Sequence, residues 1–309
     1  MNRLQVNLCL LCVTLFWSME PVLFKCIPSG VPVFATSCVT SCAGALLILG
    51  AFHLRILAAC RINTCRLLFG CLGLALLSAL YNTLYLAGMK SFDVASGAFT
   101  FCMTVVILPV VLMSIRRRIS PETWISVLLV FLGILLALGP SLKGEQLPGL
   151  GLMGVGCLLR AVGIVMLSDM TRRHDPIAVA ALLEFFAGLL SLVGWLWEDP
   201  RLFLGLPASR SLVASWAIYS YFVVAISQAI NVFAVRRVTP ANATIVYSLE
   251  IVFSVAWGVI LPSDIVDRVR LSPVIVLGLV LVVAGSLAEI LDFHKNRSQH
   301  ENAGREGAT

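Results

Sequence analysis

Four ionisable residues, Glu20, Arg160, Glu184 and Glu250, stand well inside long apolar runs of this 309-residue chain. A charge at the centre of a membrane helix costs about 2.5–3.5 kcal/mol even on lenient insertion scales, so each must face a protein-lined or watery interior or meet a partner. Such groups can hold the charged part of a solute, carry a proton, or compensate one another. Arg160 paired with Glu184 or Glu250 would form a buried ion pair tying segments together. Glu250, in IVYSLEIVFSVAW, would either carry a proton or, kept ionised by Arg160, orient that arginine or hold a cationic group. Glu20 lies about five residues, or roughly 7 Å along a helix, from the outer end of its run, within reach of interfacial water.

Uncharged polar residues join these four. Asn82 and Tyr85 are spaced i and i+3, as are Gln228 and Asn231, so each pair occupies one helix face. Tyr247, three residues before Glu250, extends the set. The faces would line a cavity between two halves of the molecule, or else hydrogen-bond between helices at roughly 0.6 kcal/mol per bond. Catalytic signatures are missing from the sequence: there is no GxxxxGK[ST], GxSxG or HExxH, and His53, His174, His294 and His300 fall in loops, at run edges or in the tail. Most of the ten cysteines lie in apolar runs, and none sits beside a His or Asp cluster at metal-ligand spacing. The expectation is a protein that is not an enzyme and uses no metal or cofactor. Its partners would be a small-molecule solute, the bilayer, and a coupled proton or exchange substrate, with no nucleic acid.

The elements that must position these residues follow from composition. With 59% hydrophobic and 12% charged residues and a mean hydropathy of +0.97, the chain cannot cover itself with a polar surface in water. Ten apolar runs lie at about 5–25, 31–52, 67–88, 94–115, 122–139, 148–169, 176–197, 211–234, 241–261 and 272–291, each near the length needed to cross about 30 Å of hydrocarbon. The first is longer than the apolar region of a signal peptide and lacks a small-residue cleavage site, so it reads as a retained span. Trp195, Trp197 and Trp216 sit near run ends, where aromatic anchors belong.

Ser227 to Ile245 aligns without a gap on Tyr81 to Phe99, matching Asn82 with Gln228, Tyr85 with Asn231 and Lys90 with Arg236. Gly139 to Gly149, GPSLKGEQLPG, is the natural joint. The chain divides into a five-helix repeat at 1–145, a second at 146–292 and a disordered tail at 293–309. Because five is odd, the two repeats enter the membrane in opposite senses. The expected fold is therefore an all-α integral membrane protein of ten transmembrane helices, arranged as two inverted five-helix repeats.

Certain residues also resemble a known family. Phe16 to Lys25, FWSMEPVLFK, is similar to the first span of EamA-type transporters of the drug/metabolite transporter superfamily, and the run from ASGAF through Gly133 and Gly139 to their fourth and fifth spans. RRVTPANATIVYSLEIVFS resembles a family pattern ending in Leu-Glu-Pro, with Ile251 where Pro is usual. The second run carries Ser, Thr and Cys where many relatives have an Arg, and RRRIS lacks a Glu common at the end of the fourth helix. The resemblance implies a secondary active transporter carrying a small polar metabolite across the cytoplasmic membrane by alternating access, with export as one direction. Relatives in the same superfamily imply a polar-lipid flippase as the alternative, and a membrane scaffold without flux is a third reading.

Loop charge sets orientation. With both termini cytoplasmic, the inner loops and tails hold fourteen basic residues, among them Arg55, Arg116, Arg117, Arg172, Arg173, Arg236 and Arg237, against seven outside, among them Lys25, Lys90 and Lys143. The sequons at Asn242 and Asn296 then face the cytoplasm, where glycosylation does not occur. Single cysteines at Arg117 and Lys143 in a cysteine-free background test this orientation. An impermeant thiol reagent applied outside should label the second and spare the first.

Overall fold

The computed structural model describes residues 3–28, 30–61, 64–89, 103–117, 119–138, 147–198, 209–261 and 271–288. The joint at 139–146, the start of the fourth run, the polar tail and the cations Lys90, Lys143, Arg201, Arg268 and Arg270 lie outside the described residues. Those described are helical: α1 Arg3–Trp17, α2 Glu20–Lys25, α3 Val33–Cys60, α4 Thr64–Met89, α5 Thr104–Ser114, α6 Pro121–Leu138, α7 Leu147–Arg173, α8 Pro176–Glu198, α9 Arg210–Val235, α10 Pro240–Tyr247, α11 Glu250–Ile260 and α12 Pro273–Ala288. Seven stretches are long and apolar enough to cross a membrane, counting α1 with α2 and α10 with α11 as one each. In hydrocarbon every backbone polar group must be satisfied within the protein, which leaves the helix as the economical solution for such runs.

Helix starts are written locally. Asp175 Oδ1 accepts from the backbone N–H groups of Ile177 and Ala178 at 3.0 and 3.2 Å, and Pro176 occupies the first helical position of α8. Ser120 before Pro121, Thr239 before Pro240 and Ser272 before Pro273 repeat the device at α6, α10 and α12. Where two helices press together, glycine makes room. A Cβ on Gly188 of α8 would stand 2.4 Å from Cys42 Sγ and 3.0 Å from the Cys42 nitrogen on α3. Gly88 of α4 meets Met153 and the Gly149 carbonyl on α7, while Gly133 of α6 meets the Gly278 carbonyl of α12. In each pair residue numbers rise on one helix as they fall on the other, so α3 with α8, α4 with α7 and α6 with α12 run antiparallel.

Three departures from regular helix matter for the site. The first membrane stretch breaks at Ser18–Met19 and the ninth run at Ser248–Leu249, so Glu20 and Glu250 each open a second half-helix. Both breaks are satisfied by serine: Ser18 Oγ donates to the Leu15 carbonyl at 2.7 Å and Ser248 Oγ to the Ile245 carbonyl at 2.6 Å. The two broken stretches also lean on each other, with Ser254 Oγ donating to the Ser18 carbonyl and Trp257 Nε1 to Ser18 Oγ. The third departure is in α9, whose middle turns, Tyr219–Ile226, are wound as π-helix. At the end holding the arginine-rich loops, Arg55 pairs with Asp175 at 2.8 Å, Arg117 grips both oxygens of Asp169, and Arg172 donates to the Val238 carbonyl.

Trp195, expected at an interface, is buried among Val31, Ala35, Cys38 and Leu212, whereas Trp197 is 90% exposed and Trp216 donates to Thr36 Oγ1. The second run extends well past residue 52 to Cys60, across a non-helical Phe52.

Gly188→Ala should destabilise the protein by about 1–3 kcal/mol, since the new methyl meets the Cys42 backbone as well as its sulfur. Gly154→Ala, with nothing within 4 Å of the new atom, should not. Thermal unfolding of the two variants in one detergent makes the comparison.

Candidate solute-binding site

A cavity of about 110 Å³ lies among α1, α2, α3, α4, α7, α8, α9 and α10. Of the residues singled out by sequence, Glu20, Asn82, Arg160, Glu184, Gln228, Asn231 and Tyr247 line it. Tyr85 and Glu250 do not. Tyr85 packs with Val33, Leu86, Met89 and Met153 one turn from Asn82, so the i, i+3 spacing puts only one of that pair on the cavity. Glu250, 1% exposed, stands behind Arg160.

The side chains form two linked groups. In the first, Gln228 Nε2 donates to Glu184 Oε1 at 3.0 Å, Asn231 Nδ2 donates to Gln228 Oε1 at 3.4 Å, and the Tyr247 hydroxyl donates to Asn231 Oδ1. This polar line runs from α8 across α9 to α10. Its spacing requires that Gln228 and Asn231 share a helix face, as the sequence implied. In the second group Arg160 Nη2 lies 3.8 Å from Glu250 Oε2, an ion pair rather than a hydrogen bond. The guanidinium also lies 5.3 Å from the ring centroid of Trp17 and 5.9 Å from that of Tyr81. Cation–π attraction is worth up to about 2 kcal/mol when both parties are desolvated, and Arg160 is only 8% exposed. Among the described residues, the acid that Arg160 meets is therefore Glu250, while Glu184 belongs to the amide line.

Glu20 does not reach interfacial water. It is buried and accepts from the Tyr219 hydroxyl at 2.7 Å, across from the π-wound part of α9. Its position at the start of α2 puts the positive end of that half-helix dipole beneath its carboxylate, and Glu250 has the same relation to α11. The cavity thus offers one cationic group and two acids at separate places on its wall. Trp17, Tyr81 and Tyr219 are lining residues that sequence reasoning missed. Tyr81 had a signal, standing beside Asn82 in the repeat, but nothing local marks Tyr219, whose direction depends on the π turns.

All-helical architecture, apolar spans and buried charges around an internal cavity define the class as a multi-pass membrane protein. Residues 147–288, a little under half of the chain, match the model of the EamA-like transporter family. One solved crystal structure, titled only as that of a protein, superposes with a TM-score of 0.74 at 17% identity, covering 96% of this chain and 99% of its own. That likeness is one of fold, and it spans nearly the whole chain. No curated protein matches the chain.

Arg160→Met leaves Glu250 buried beside no cation and should cost on the order of 3–5 kcal/mol. Adding Glu250→Gln should return much of that loss, because an isolated buried charge is worse than none. Unfolding of the single and double variants, compared in detergent, measures the recovery.

Proposed function

We propose that this protein is a secondary carrier that moves a small polar solute across the cytoplasmic membrane by alternating access, with both termini cytoplasmic. The observation that carries the reading is a buried cavity, between helices of both halves, whose wall bears charges of both signs that lipid cannot solvate. Such a wall suits a compact solute with an acidic group for Arg160 and a hydrogen-donating or cationic group for Glu20 or Glu184.

The packing supports two inverted repeats of five spans. Counting α1 with α2 as the first segment and α10 with α11 as the ninth, each segment n of the first half corresponds to n + 5. Segment two packs on seven and five on ten, pairs that such an exchange maps onto themselves. Three packs on six as eight packs on one, and four on six as nine on one. The antiparallel sense of the paired helices is what opposite insertion of the halves requires. In alternating access the cytoplasmic end would be held by Arg55–Asp175 and Arg117–Asp169 and released when the halves rock.

A second reading, a polar-lipid flippase, is favoured by an apolar groove of about 810 Å³ on the lipid-facing side of α3 and α9, walled by Leu46, Leu47, Val213, Trp216, Tyr221 and Phe222. The π-wound segment and α3 stand between it and the cavity, each lining both spaces.

Proteoliposomes containing only the purified protein decide between these. Loaded with an unlabelled metabolite extract and bathed in a labelled one, they should accumulate at least one charged polar solute by exchange, and Glu184→Gln should reduce that accumulation by about tenfold or more, as loss of a charged hydrogen bond predicts. Movement of a fluorescent phospholipid between leaflets with no solute exchange would select the flippase. Neither flux would leave a scaffold.

A further inference from the structure

The groove between α3 and α9 has a shape that helix packing alone does not require. The two helices touch at Gly44, where a Cβ would stand 2.4 Å from Val224, and Trp216 of α9 reaches Thr36 of α3 at 3.3 Å. Residue numbers rise together along these contacts, so both helices begin at the same membrane face. On the outward side of the contact the groove opens, with half-buried Ala43 and Trp216 and buried Ser220 on its floor and exposed Leu46, Val213 and Tyr221 at its edges. The floor asks for no polar partner. Trp216 Nε1 is committed to Thr36 Oγ1, and Ser220 Oγ donates to the Trp216 carbonyl at 2.6 Å. From Val213 to Phe222 the groove follows α9 for nine residues, roughly 13 Å at about 1.5 Å per residue, close to half of a hydrocarbon core about 30 Å thick. It is therefore as long as one leaflet is deep.

Charge marks the end of the groove at which a headgroup would lie. Arg210 opens α9 and shares a stripe with Val213 and Ala217, at i+3 and i+7, so it stands one turn beyond the groove on the same side of the helix. It is exposed and, among the described residues, enters no ion pair. The positive end of the α9 dipole lies beside it. Exposed Lys25 ends α2 next to this turn, where Ser211 Oγ donates to the Cys26 carbonyl at 3.3 Å. We propose that the groove holds one acyl chain of a resident anionic phospholipid whose phosphate sits at Arg210. The lipid packs on the outer side of the π-wound turns, whose inner side carries Tyr219 to Glu20, and so braces the wall of the cavity from behind. This site rests on the placement of α3 and α9 in a bilayer and not on the carrier reading.

The test is native mass spectrometry of the purified, delipidated full-length protein titrated with phosphatidylglycerol or phosphatidylcholine of identical acyl chains, with Tm read in the same detergent. Wild type should take up one phosphatidylglycerol saturably, about fivefold more tightly than phosphatidylcholine, as one basic residue at an anionic lipid predicts, and its Tm should rise with occupancy. Arg210→Gln should make the two lipids equivalent while leaving phosphatidylcholine binding as it was. Ala217→Phe sets a ring into the groove from an exposed position and should weaken both lipids by about tenfold or more. Ala214→Phe, exposed on the same helix but off the groove, should change neither. Graded uptake of both lipids without a preferred one overturns the proposal, as does wild-type binding in Ala217→Phe. Inorganic phosphate that raises Tm as phosphatidylglycerol does would make Arg210 an anion site without a lipid, and a second copy of the chain lost from the complex in Ala217→Phe would make the groove an interface between copies. Movement of the bound phosphatidylglycerol between leaflets in proteoliposomes would make it cargo rather than a resident. Saturable phosphatidylglycerol binding without solute exchange would remove the carrier and leave this inference standing.

Discussion

The arrangement depends on one constraint: the guanidinium of Arg160 stands in mid-membrane and cannot be solvated by lipid. Every neighbour answers to that charge. Glu250 lies 3.8 Å behind it, and the Trp17 and Tyr81 rings lie within 6 Å. An ion pair so buried is weak evidence of stability, because desolving both partners costs several kcal/mol per ion.

The broken helices are the means by which the acids reach that place. An unbroken helix would satisfy its own backbone but carry Glu20 and Glu250 on smooth turns with no dipole behind them. Interruption after Ser18 and Ser248 instead makes each acid the opening residue of a half-helix. The exposed carbonyls are then met by serine hydroxyls, and Ser254 and Trp257 of α11 tie one break to the other. The two strands of the site are therefore mechanically joined: a shift in α11 is felt at Ser18, two residues from Glu20.

Close glycine contacts do the complementary work. The helix pairs that cross between the halves meet at Gly188, Gly88 and Gly133, where backbones approach without side chains between them. Without a hydrophobic driving force between helices in lipid, such close approach is what van der Waals packing requires. The flanks of the cavity are thereby closely packed on the α3–α8 and α4–α7 sides. Another wall is α9, where over the π-wound Tyr219–Ile226 Tyr219 turns inward to Glu20 and Tyr221 outward to the apolar groove.

Much of this was legible in the residues. The apolar runs, the four intramembrane charges and the shared face of Gln228 and Asn231 follow from composition and helical spacing, because hydrophobic length and i, i+3 geometry are local properties. The capped Pro starts of α6, α8, α10 and α12 are local too. Tertiary structure alone decided which acid Arg160 meets. Glu184 and Glu250 are equivalent in sequence, each one carboxylate in an apolar run, and their difference arises only because Gln228 of another helix claims the first. It also decided that Glu250 stands behind the arginine rather than on the cavity, that Tyr85 turns into packing, and that Glu20 is buried by Tyr219. These are relations between helices distant in the chain, and periodicity along one helix carries no information about the rotation of its neighbours.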